Sequence, residues 1–142
     1  MTISKCFAVS LLAALSLTAF CANADVVVVM AAKGGPDSLS AAQVSQIFLA
    51  KSSSLPGGGA AVPIDQEEGV ATRDEFYKKV ASRDSAQLKS YWSQLMFTGK
   101  AQRPKRVSGD DAVKKAVATT PGAIGYISAS AVDPSVKVVL KP

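Results

Sequence analysis

The chain has 142 residues, 48% hydrophobic and 19% charged, with a formal net charge of +5 and no histidine. Its two cysteines, Cys6 and Cys21, both fall within the first 24 residues. Beyond them, thiol catalysis, a Ser-His-Asp triad, His or Cys zinc sites and stabilising disulfides are all excluded. The positive charge is mild. It fits an anionic partner and ordinary solubility equally.

Lys5, the apolar stretch Phe7 to Phe20 and the small-x-small triplet Ala22-Asn23-Ala24 read as a secretory signal peptide over residues 1–24. The apolar run is shorter than the ~20 residues that span a bilayer. Bulky Phe20 argues against lipidation at Cys21, so cleavage is expected between Ala24 and Asp25, with export to the periplasm. Residues 25–142 then suffice for one domain with its own core.

Val26 to Met30 is an unbroken apolar run, the mark of a strand buried on both faces. A glycine turn follows, then a helix capped by Ser38 or Ser40 with Val44, Ile47 and Phe48 inward. Ser52 to Gly59 reads as a loop, and Ala61 to Ile64 as a brief strand. A turn bearing Asp65, Glu67, Glu68 and Gly69 leads into a helix with Phe76, Tyr77 and Val80 inward. On its outer face Asp74–Lys78 and Glu75–Lys79 are spaced to pair. Asp84 or Ser85 caps the next helix, whose stripe Leu88, Tyr91, Trp92, Leu95, Met96 is expected in the core.

Gly99 stops that helix, and Lys100, Arg103, Lys105 and Arg106 form a basic loop. Such a loop is either solvated or a docking site for an acidic partner or lipid headgroups. It lacks the interleaved aromatics of a nucleic-acid surface. Ser108 or Gly109 opens a further helix with Asp110 and Asp111 in its first turn and Val113, Ala116 and Val117 inward. Ala123 to Ile127 and Val136 to Leu140 are strands, and Gly125 within the first implies close packing.

Alternating strands and helices predict a single three-layer α/β domain with a mixed sheet. Ligands of such sheets gather beyond strand carboxyl ends, at helix N-termini. Three stretches qualify: Gly34 to Ser40, Gly69 to Arg73, and Thr98 to Ser108. Asp65, Glu67 and Glu68 could form an acid/base pair or cation ligands, but they lack the loop signature of calcium sites, so no metal, cofactor or catalytic residue is assigned.

"LSAAQVSQIFLAK", "YWSQLMFTGK" and "TTPGAIGYIS" resemble, in that order, the periplasmic phosphate-binding proteins of ABC transporters, and especially their small single-domain members. The resemblance implies one lobe of a type II periplasmic binding protein, with no enzymatic activity. A cleft needs a second wall, so pairing of two chains would be one way to complete it. The family grips phosphate with an R-x-D-x-S-G-T motif ahead of a helix. Setting Phe76 on the family's Phe places Asp65 at the Arg, Glu67 at the Asp, and Gly69 and Ala71 at the Ser and Thr. Ser38, Ser40, Thr72 and Arg73 remain as candidate oxyanion ligands, against capping for the serines and a solvated first-turn role for Arg73. Two functions follow: a solute-binding-type domain for phosphate or a related small oxyanion, accessory to ABC-type transport; or an envelope protein-interaction module that has lost its ligand site.

Overall fold

The computed structural model describes residues 25–142; the signal-peptide reading, with Cys6 and Cys21, lies outside the described residues. Strand β1 is Val26–Ala31, and its valines are buried on both sides of the sheet. Val26, Val28 and Met30 join one core cluster, while Val27 and Val29 join the other, as the two-residue period of a strand requires. Helices α1 (Ala41–Phe48), α2 (Ala71–Ala81) and α3 (Ser85–Phe97) supply the first cluster. Helix α4 (Asp110–Thr119) covers the opposite face through Val113 and Val117. The result is the expected three-layer α/β domain.

The sheet has five strands, adding β2 (Val62–Gln66), β3 (Lys105–Val107), β4 (Ala123–Ser128) and β5 (Val136–Leu140), in the order β3-β2-β4-β1-β5. β2 runs parallel to β3 and β4, whereas β1 runs antiparallel to β4 and β5, so the sheet is mixed. Ser40 caps α1 in a reciprocal box with Gln43, and Asp84 caps α3 the same way with Gln87; Ser38 caps nothing.

Three expectations need correction. The basic stretch is not all loop, because Lys105–Val107 pairs with Ile64–Gln66 as an edge strand. Three residues led by two cations carry no β pattern, and only the demand of buried β2 for a ladder partner draws them in. The α3 stripe is core only in part: Leu88 and Trp92 are buried, Tyr91 and Leu95 half-buried, and Met96 is 52% exposed. The last turn of α3 overhangs the layer beneath it, and Phe97 beside Met96 is 94% exposed. On α2, Glu75 and Lys79 pair at 3.0 Å, but Asp74 and Lys78 form no ion pair.

Gly125 confirms the expected close packing. A Cβ there would stand 2.5 Å from Val113 Cγ1 and 3.2 Å from Val117 Cγ2. Gly125→Ala should therefore push α4 off the sheet and cost about 1–3 kcal/mol, read as a lower urea midpoint at unchanged slope.

Candidate functional site

The carboxyl ends of parallel strands β2, β3 and β4 share one edge of the sheet, and α2 and α4 begin just beyond it. This is where α/β sheets collect ligands. Val70, which precedes α2, offers no side-chain cap, so the Ala71 and Thr72 N–H groups have no hydrogen-bond partner among the described residues. Directly before it, β2 ends on two polar residues that are nonetheless buried, Asp65 (2% exposed) and Gln66 (1%).

Asp65 is not displayed on the turn. Its carboxylate accepts from the Gln66 N–H at 2.9 Å, from the Tyr77 hydroxyl at 3.0 Å and from the Tyr126 hydroxyl. The Arg73 Nε stands 3.4 Å away, with its guanidinium 5.1 Å above the Tyr77 ring. Arg73 is 2% exposed, packed between the Asp65 carboxylate and the Tyr77 ring. The Gln66 side chain donates to Asp110 Oδ1 and to the Tyr126 carbonyl, each at 3.0 Å, which ties β2 to α4 and β4. Phe76 stacks on Tyr126 (4.0 Å, 7° between planes) and fixes the ring that holds Asp65.

The set is held by charge more than by hydrogen bonds at Arg73, whose buried Nε faces Asp65 without donating a hydrogen bond. Burial and then the Asp65 charge push the Tyr77 phenol well above its usual range, and Tyr126 rises for the same two reasons. Both hydroxyls thus remain donors. Burial opposes the Arg73 charge, but neighbouring negative charge, that of Asp65 first, more than offsets it, and its pKa rises. Outside this set Glu68 receives Arg106 at 2.8 Å and Arg103 at 3.4 Å. The Arg106 charge, working against desolvation, holds the Glu68 carboxyl below its ordinary value.

The structure thus brings Thr72 and Arg73 together but gives each a partner within the chain: Asp65 for Arg73, and the Ser128 hydroxyl at 3.4 Å for Thr72. Ser38 and Ser40 are exposed on the β5 side, where the Leu39 N–H donates to the Val139 carbonyl at 2.8 Å. Strands β4 and β1 separate β5 from β2, and no hydrogen bond joins the serines to Thr72 or Arg73. The carboxylates diverge as well, with Asp65 inward and Glu68 on two arginines. Sequence reasoning missed Gln66, Tyr77, Tyr126 and Asp110. An inward tyrosine needs a hydroxyl partner, and that demand was the available signal at Tyr77.

The fold matches one lobe of the periplasmic-binding-type proteins. The chain is a structural relative of the phosphate ABC transporter substrate-binding proteins. It is similar to a proposed phosphate ABC transporter substrate-binding protein of Clostridium perfringens, solved with bound phosphate (TM-score 0.66, 25% identity, 81% of this chain and 44% of that one). An ABC-type phosphate transport receptor from Vibrio cholerae matches at TM-score 0.63 and 18% identity, over 81% of this chain and 45% of that one. The chain therefore spans less than half the length of these proteins. No family model and no curated protein matches it. No helix among the described residues is long and apolar enough to cross a membrane.

Proposed function

We propose that this chain is an exported, non-enzymatic binding-protein lobe, accessory to ABC-type transport in the periplasm, that works by docking to another envelope component. The observation that carries this reading is the Asp65 carboxylate, which sits against Arg73 and the Tyr77 and Tyr126 hydroxyls. The anion at the end of β2 is the chain's own. A free phosphate would have to displace it, or bind beside two carboxylates, Asp65 and Glu68. The structural neighbours carry phosphate-transport names, and that likeness supports the transport setting more than the ligand.

Calorimetry with phosphate and with sulfate tests this directly. The expected result is no saturable heat up to millimolar ligand; micromolar saturation with one site would overturn the docking reading.

A second reading, weak oxyanion binding, is favoured by one feature: no side chain caps α2, and the Ala71 and Thr72 N–H groups have no hydrogen-bond partner among the described residues. Under it, Arg73→Ala would weaken phosphate roughly tenfold or more, the scale of one lost charge-assisted hydrogen bond. Ser40→Ala would match it only if the α1 start shared the ligand.

A further inference from the structure

Residues 85–109 contain five basic side chains, Lys89, Lys100, Arg103, Lys105 and Arg106, and no acidic one. The remainder of the described chain is nearly neutral, so the positive charge is concentrated in this single segment. Arg103 and Arg106 meet Glu68, whereas Lys89, Lys100 and Lys105 make no ion pair among the described residues. The same segment holds Phe97 (94% exposed) and Met96 (52% exposed) side by side at the end of α3.

The surface beside this apolar knob is recessed. One open cavity of about 350 Å³ is lined by Met96, Ala101 and Arg103. A second, of about 280 Å³, shares Gln102 and Arg103 with the first. Its floor includes Ile47, Val62 and Pro63, and its rim carries Arg103 and Lys105. An aromatic knob, an apolar recess and a cationic rim are the elements of a polypeptide-binding surface, where a few anchors supply most of the affinity and charge sets the choice of partner.

We propose that this face docks an acidic polypeptide segment. Its apolar side chains enter the Ile47–Val62–Pro63 recess, Phe97 and Met96 pack on its flank, and Lys100 and Lys105 meet its carboxylates. A lipid surface would satisfy the lysines and Phe97 but leave the recess unfilled, so the relief favours a polypeptide. The inference rests on the docking reading above and names the chemistry of the partner.

The test is a phage-displayed library of random dodecapeptides panned against the purified protein, followed by fluorescence polarisation of the best labelled peptide. Enriched sequences should combine Asp or Glu with Leu, Ile or Phe. Lys100→Glu with Lys105→Glu, and separately Phe97→Ser, should each weaken that peptide roughly tenfold or more while leaving the melting temperature unchanged. No enrichment, enrichment without acidic residues, or affinity untouched by these substitutions would overturn the proposal. So would binding to phosphatidylglycerol–phosphatidylcholine vesicles in place of any peptide. Capture of an envelope protein that ignores all three substitutions would remove this face yet leave the docking reading standing. Micromolar phosphate binding would remove that reading instead.

Discussion

Replacing Asp65 with alanine is expected to lower the unfolding free energy by about 3–5 kcal/mol, the cost of stranding a buried charge. Arg73 would lose its carboxylate in a 2% exposed position, and the Tyr77 and Tyr126 hydroxyls would lose their acceptor together. In a domain of this size the loss should appear as a drop of about 10–20 °C in melting temperature. The double variant Asp65→Ala with Arg73→Met should fall short of the summed single effects by about 1 kcal/mol or more, since the second change removes the stranded charge. Strict additivity would mean that Arg73 is stabilised by something other than Asp65.

The second large effect is expected at Phe76. Its ring is fully buried, stacks on Tyr126 and meets Phe48 edge-on at 4.7 Å. Phe76→Ala should cost about 3–5 kcal/mol, through lost burial and the cavity left behind. It should also free the Tyr126 ring and loosen Asp65 from one of its donors. Phe76→Leu, which keeps most of the volume, should cost clearly less. Urea unfolding monitored by the fluorescence of Trp92 reads both, because that residue is 2% exposed in the same core cluster. Equal losses for the two variants would show that the ring stacking, and not the filled volume, dominates here.

Much of the fold was legible because its signals are local. The valine run of β1 has no polar face, so it could only be a strand covered on both sides. Ser40 and Asp84 stood three residues before a glutamine, and both formed reciprocal caps. What escaped depended on partners distant in sequence. β3 exists because β2 needs a neighbour, and nothing in Lys105-Arg106-Val107 announces that. Met96 follows the same helical period as Trp92, and periodicity alone does not reveal where a helix outruns its support.

The site was legible in shape and misread in charge. The strand–turn–helix form over Val62 to Val80 is present, with the helix start at the carboxyl ends of the parallel strands. By sequence Asp65 fell on an acidic turn, at the position where the resembling family carries an arginine. In the structure it is buried, and its cation comes eight residues later, from Arg73 on the helix. That pairing is tertiary, as are the hydroxyls of Tyr77 and Tyr126, and sequence spacing alone did not reveal it. The four candidate ligands divide accordingly: Thr72 and Arg73 are turned to partners inside the chain, Ser40 to its own cap, and Ser38 lies apart on the surface.

The most direct test of Asp65 as the resident anion is the Arg73 side-chain Nε–H resonance, followed by nitrogen-15 NMR during a phosphate titration. With the guanidinium closed over Asp65, the signal should be slow to exchange with water and unmoved by millimolar phosphate, and it should shift in Asp65→Asn. A saturable phosphate-dependent shift of that resonance in the unsubstituted protein would contradict the assignment and return the site to a free oxyanion.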